Sequence, residues 1–284
     1  IHAHHGGQLG QEGLGLAGCS GNKTSEPAGS DVGSAKYSSK KKAVELQVFA
    51  ANSLEKALPE VQELYTEQTG TTFADTQFKA SGDLVEQMRA GAAVDVLITA
   101  SKGTMDDAEA AELVDADTRE DMFVNDLVII RAEGSDTKVE VIADVANLDG
   151  KIAIGDAKTV PAGKYANQAL ASVGLYTGTE GDDGEYAPEI ADKVALADKV
   201  GTAAAYVSTG DCVAGFVYSS DIFRYDGIEE AFVCPEDSHK PIVYPGAVAE
   251  SSEHADEAKA FIDFCLTNKK AQKIWAKYGF ELSA

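Results

Sequence analysis

Apolar and polar residues alternate from Val44 to Ala50 (VELQVFA), the period of a strand with one buried face. Leu54, Ala57, Leu58, Val61, Leu64 and Tyr65 then recur at helical spacing, and Gly70 supplies the stop. Thr71 to Phe78 reads as a second strand, Leu84 to Arg89 as a helix closed by Gly91, and Val94 to Thr99 as a buried strand. An acidic helix is expected from Met105 to Leu113. Farther on, strands at 126–131, 151–155 and 215–218 alternate with helices after Pro161 and Asp198. This alternation predicts an α/β fold with mainly parallel sheets. The last segment, 255–278, reads as one helix with Ala258, Phe261, Ile262, Cys265 and Leu266 on a single stripe, packed back on the first part of the fold.

At 284 residues the expectation is two lobes rather than one sheet. Lys and Arg number 24 against 47 Asp and Glu, giving a net charge of −23. Such a surface repels phosphate backbones and anionic lipid, which excludes non-specific nucleic-acid binding as the main task. No apolar run is long enough to span a bilayer. Cys19, Cys212, Cys234 and Cys265 lie far apart without a C-x-x-C pair, so neither a zinc ribbon nor an iron–sulfur cluster is expected. Cys212 and Cys234 read as small buried thiols, a disulfide being the alternative, and Cys265 as core. Trp275, the sole tryptophan, is expected to lie away from any ligand.

Residues 1–42 are rich in Gly, Ser, Lys and Thr without hydrophobic period, and read as a disordered leader. Within them Leu16-Ala17-Gly18-Cys19 resembles a bacterial lipobox, in which Cys19 is lipidated and the polar stretch 20–42 becomes a tether. Gly6 to Gly15 supplies neither the cationic start nor the apolar run of a secretion signal, so the beginning reads as truncated or altered. The alternative is a leader with a chance LAGC.

Candidate chemistry lies at strand-to-helix junctions with small residues. Ser53 follows the first strand, where a hydroxyl caps free backbone N–H groups, and Ser81-Gly82 precedes the second helix. Val160-Pro161-Ala162-Gly163 opens another helix, with Pro161 suited to its first position and Ala162 offering an unused N–H. Asp198 is expected to cap the next, leaving the Val200 N–H free, and Tyr218 ends a strand. Helix starts collect partial positive charge and unpaired donors, so several converging on a cleft make an anion site without Lys or Arg. Each junction alone has a purely structural reading.

The stretches FAANSLEKAL (49–58), FKASGDLVEQM (78–88), VDVLITAS (94–101), GDAKTVPAGKYANQAL (155–170), GFVYSSD (215–221), PEDSHKPIVYP (235–245) and KYGF (277–280) occur in one order along the chain. In that order they resemble the periplasmic molybdate-binding proteins of ABC transporters. The resemblance implies a type II two-lobed solute-binding fold with a cleft between lobes: 43–124 plus 246–284 as lobe I and 125–245 as lobe II. It also implies an extracytoplasmic monomer, a cell-surface lipoprotein or periplasmic protein, that hands molybdate or tungstate to a membrane permease. Membrane contact would come only through a lipid anchor, and no cofactor is implied. Carried over by motif, the oxyanion falls to Ser53, Ser81, Ala162, Val200 and Tyr218. Asn52 stands where the family has Ala, and Gly82-Asp83 where it has a Ser/Thr-rich pair. A carboxylate aimed at the site would repel a dianion, so Asp83 reads as a first-turn residue in a capping box with Glu86.

A tetrahedral dianion has four oxygens, and two serines, two amides and a phenol supply about that many donors. Neutral donors reject a protonated competitor such as hydrogen phosphate, whose proton would need an acceptor. Sulfate or another oxyanion is the nearest alternative ligand, excluded only by size. A serine hydrolase using Ser53 or Ser81 with His239 or His254 as base lacks a G-x-S-x-G elbow. A ligand-sensing module of a regulator would need a helix-turn-helix, and none precedes Ala43.

Overall fold

The computed structural model describes residues 43–283, so the expected leader, tether and Cys19 lie outside the described residues. After Ala43 the chain forms β1 (Glu45–Leu46) and β2 (Val48–Ala51), and every residue of β2 is buried. A strand apolar on both faces must be covered on both, which is what layers of helices supply. A short 3-10 turn, Asn52–Leu54, leads into α1 (Ala57–Thr69), which buries Ala57, Leu58, Val61 and Tyr65. It ends at Gly70 with φ 81°, a left-handed conformation that only glycine adopts without strain. The second expected strand is broken into β3 (Thr72–Phe73) and β4 (Gln77–Lys79), followed by α2 (Ser81–Arg89), β5 (Val96–Ile98) and α3 (Lys102–Ala110).

Two consecutive strands come next, β6 (Glu120–Asn125) and β7 (Leu127–Ala132), then β8 (Ile152–Gly155), α4 (Pro161–Ser172), α5 (Pro188–Ala191), β9 (Val194–Ala197), α6 (Val200–Ser208) and β10 (Ala214–Tyr218). The chain closes with β11 (Ile228–Val233), β12 (Ile242–Val248), α7 (Ala255–Thr267), α8 (Lys269–Lys277) and β13 (Glu281–Leu282). Asn268 divides the expected single terminal helix. Its backbone is extended and its side chain accepts from the N–H groups of Lys270 and Ala271, starting a new helix. Ala258, Phe261, Ile262 and Cys265 are buried on α7 as the stripe predicts. Among the described residues no helix is long and apolar enough to cross a membrane.

The strands form a six-stranded sheet, β13-β6-β12-β5-β2-β4, a five-stranded sheet, β11-β7-β10-β8-β9, and the pair β1-β3. Parallel pairing is confined to β2 with β4 and β5, β8 with β9 and β10, and β1 with β3. The remaining pairs are antiparallel, so the sheets are mixed rather than mainly parallel. The chain crosses between the sheets, and crossing strands run against the βα repeats. β6 enters β7 through Asp126 alone although the two strands lie in different sheets, and β12 returns antiparallel to both β5 and β6. Ile242–Pro245, expected in lobe II, pair with β6 of the six-stranded sheet, because β12 is one continuous buried strand.

Cys212, Cys234 and Cys265 are free, buried thiols. Burial pushes the Cys234 thiol up to about 12, raises those of Cys212 and Cys265, and pushes the Tyr186 phenol up to about 12. It also raises the phenols of Tyr165, Tyr218 and Tyr244. Each group holds its proton more firmly folded than unfolded, where thiols titrate near 8.5 and phenols near 10. Their contribution to stability is therefore complete below about pH 8.5 and is lost as pH rises toward the folded values. Unfolding free energy from urea titrations is expected to fall above about pH 9 and more steeply above about pH 10. A free energy unchanged up to pH about 11 would contradict the burial of these groups.

Candidate functional site

Ser53, Ser81, Ala162, Val200 and Tyr218 all line one narrow cavity of about 20 Å³, and all are buried. Ser53 and Ser81 stand at the ends of β2 and β4, while Ala162 and Val200 occupy the first turns of α4 and α6. Tyr218 is the last residue of β10. The cavity thus lies where the helix starts following the six-stranded sheet face those following the five-stranded one.

Neither serine caps a helix as the sequence suggests. Ala51, not Ser53, takes the cap position of the first turn, and the Ser53 hydroxyl lies 2.7 Å from that of Tyr244. Ser81 is already inside α2, and its Oγ accepts the Ala100 N–H at 3.0 Å. Asp198 is not the cap of α6. Lys199 holds that position, and the Asp198 carboxylate accepts the Thr202 hydroxyl instead. Asp83 lies in the first turn of α2 but does not line the cavity. Its expected capping-box partner, Glu86, pairs with Arg89 at 3.2 Å.

The hydrogen bonds around the serines are directional. Asn125 Oδ1 accepts from the N–H groups of Asp126 and Ser220, which fixes the amide so that its Nδ2 faces Ser220 Oγ and, at 3.5 Å, the Tyr244 hydroxyl. Tyr244 receives from Asn125, and between Tyr244 and Ser53 either hydroxyl can be the donor; with Tyr244 donating, the Ser53 proton is left for the cavity. Ser81 likewise accepts from Ala100 and keeps its own proton to give. In α4 the bonded amides begin at Gly163, and in α6 at Thr202, so the N–H groups of Ala162 and Val200 precede the first available carbonyl.

Tyr218 completes the set. Its ring is held between Tyr165 and Tyr244 in edge-on contacts, with centroids 6.4 and 5.7 Å away, and its N–H is taken by Asp221 at 2.8 Å. Its hydroxyl is fully buried and has no partner. Burial, helped by the neighbouring Tyr244, Tyr165 and Asp221, raises this phenol well above its ordinary range, so it remains a neutral donor. A buried donor without an acceptor costs about 1–3 kcal/mol, and Tyr218 lines the same cavity as Ser53, Ser81, Ala162 and Val200.

Sequence reasoning missed several members of the site. Lys79 and Lys199 also border the cavity, outside the five expected positions. Tyr244 bonds Ser53, and Asn125 bonds Tyr244, without either lining the cavity. Tyr244 lies within the matched stretch PEDSHKPIVYP, whereas Asn125 carried no signal. Trp275 is away from the cavity, separated from Tyr244 by Phe123, on which it packs at 4.4 Å. His239 and His254 do not line the cavity; His239 Nδ1 lies 2.7 Å from the Lys240 carbonyl.

Residues 46–281 match the model of the bacterial extracellular solute-binding proteins. The molybdate-binding protein ModA of Escherichia coli is 33% identical over 84% of this chain and 89% of its own length. A putative ABC transporter substrate-binding lipoprotein of Bacillus subtilis, YvgL, is 29% identical over 93% of this chain and 92% of its own. Among solved structures, the substrate-binding domain of a putative molybdenum ABC transporter from Clostridium difficile superposes with a TM-score of 0.64 at 33% identity, covering 84% of this chain and 99% of that one. The chain belongs to the bacterial extracellular solute-binding protein family.

For a solute-binding protein the approach of the two sides of the cavity matters as much as its lining. Gly82 N–H donates to the Thr159 carbonyl at 3.3 Å, and a Cβ at Gly82 would stand 3.1 Å from Thr159 Cα. That is backbone against backbone, so it yields only if the two sides separate. Gly82→Ala is therefore expected to leave thermal stability near the wild-type value and to weaken ligand binding about tenfold, 1.4 kcal/mol. Unchanged binding in calorimetry would show that the contact does not set the closed spacing.

Proposed function

We propose that this protein captures molybdate or tungstate outside the cytoplasm and delivers it to an ABC permease, binding the anion without transforming it. The observation that carries the reading is the Tyr218 hydroxyl, fully buried and unpartnered, on a residue that lines one cavity with Ser53, Ser81, Ala162 and Val200. A tetrahedral oxyanion is the acceptor that satisfies all five at once. The names of the Escherichia coli, Bacillus subtilis and Clostridium difficile relatives support the same ligand and transport class. In this reading the two mixed sheets are the cores of two lobes that close on the anion, and the protein acts as a monomer. The Bacillus subtilis relative's description as a lipoprotein supports Cys19 as the site of a lipid anchor.

Sulfate carries the same charge in a smaller shell, so a cavity of fixed donors discriminates by fit. Isothermal titration of the chain from Cys19 to Ala284 tests this. Molybdate and tungstate are expected to bind one to one, and sulfate at least about a hundredfold more weakly, some 2.7 kcal/mol. Tyr218→Phe is expected to cost about tenfold or more in affinity. Ser81→Ala is expected to weaken binding and also to lower stability by about 1–3 kcal/mol, because the buried Ala100 N–H loses its acceptor. Since burial keeps Tyr218 protonated, affinity should be level from pH about 7 to about 9. Silence toward all three anions, or full affinity in Tyr218→Phe, would overturn the assignment.

A further inference from the structure

Asn52 borders the cavity directly before Ser53, yet its polar atoms are turned to other side chains. Its Nδ2 donates to Glu55 Oε2 at 3.4 Å, while its Oδ1 accepts from Arg224 Nη2 and from the Tyr225 hydroxyl, both at 3.3 Å. The Asn52 carbonyl accepts from Arg224 Nη1, and Glu55 Oε1 lies 3.5 Å from the same nitrogen. Arg224 Nη2 also donates to the Tyr225 hydroxyl. Asn52 and Glu55 follow β2 of the six-stranded sheet, whereas Arg224 and Tyr225 follow β10 of the five-stranded sheet. The contacts therefore join the two sides that enclose the ligand.

The Arg224 side chain is only 2% exposed. Behind it Asp221 is wholly buried, with Oδ1 3.2 Å from Arg224 Nε but without hydrogen-bond alignment, while its other oxygen takes the Tyr218 N–H. Gly201, in the first turn of α6, leaves room for the Tyr225 hydroxyl where any side chain would collide. A guanidinium taken out of water is stable only while its donors are met. If the two sides part, Arg224 keeps Asp221 and Tyr225 but loses Asn52 and Glu55.

We propose that Arg224 and Tyr225, gripping Asn52 and Glu55, form a latch that sets the lifetime of the closed, ligand-holding form. This rests on the oxyanion-binding reading above. An alanine in place of Asn52 offers no side-chain acceptor to Arg224 or Tyr225. These are positioning residues. Because their contacts form on closure, they act on release and leave encounter unchanged.

The test follows the release of radiolabelled molybdate, chased with excess unlabelled molybdate, from the wild-type chain, Asn52→Ala, Tyr225→Phe, Arg224→Lys and the double variant Asn52→Ala/Arg224→Lys. Each single change is expected to speed release about tenfold with capture altered less than about twofold, and the double variant to speed it by less than the product of its two single effects. Tyr225 does not line the cavity, so its effect separates a latch from a direct ligand contact. Release at the wild-type rate in both Asn52→Ala and Tyr225→Phe overturns the latch, as does a double variant whose effects multiply. If the wild-type chain takes up no molybdate, the oxyanion reading fails and the latch is judged by small-angle scattering. A larger radius of gyration in Asn52→Ala than in wild type then supports it, and an equal one overturns it.

Discussion

A donor buried away from water must find an acceptor, and around one small cavity this protein arranges that the acceptor is not its own. Asn125 gives to Tyr244, which pairs with Ser53, while Ala100 gives to Ser81 and leaves that serine its own proton to give. The first-turn amides of α4 and α6 add two more donors, and Tyr218 a third that nothing in the chain receives. Most of the architecture serves to hold these groups in one place. The donors come from five separate strand and helix ends around two sheets, and the packing of both sheets brings their residues to one cavity.

The acidity of the whole chain does not oppose such a site. Surface charges are screened over roughly 10 Å in about 0.1 M salt, whereas oriented hydroxyls and amides act at contact distance. The nearer hazard is Asp221, a buried carboxylate that holds the Tyr218 backbone. Burial raises its pKa, and Arg224 opposes that shift. Arg224 Nε lies 3.2 Å from Asp221 Oδ1, so the buried carboxylate has a compensating charge beside it.

Much of this was legible in the residues, for reasons that differ from place to place. Gly70, the Pro161 helix start and the apolar runs of β2 and β10 are local signals, and local structure obeys them. The matched stretches led to five positions that share one cavity. Long-range pairing was not legible. No local pattern shows that β6 continues into a different sheet, that β12 returns antiparallel, or that the sheets are mixed. Serine at a helix start suggests a cap, and here both hydroxyls are drawn away by partners 191 and 19 residues distant in sequence. Asn125, Arg224 and Tyr225 act through contacts between distant segments, which periodicity cannot report. Asp198 shows the opposite error, a cap-like residue whose carboxylate is taken by a nearby hydroxyl.

Asn125 stands at the end of β6, one residue before the chain passes into the other sheet, and it ties Ser219, Ser220 and Tyr244 together at that crossing. The crossing and the first link of this hydrogen-bond chain are therefore the same side chain. Any bend there that turned the amide would take a donor from Tyr244 and a bond from Ser220 together. A change of backbone angle at this crossing and a change in the hydrogen bonding behind Ser53 are thus one event, not two.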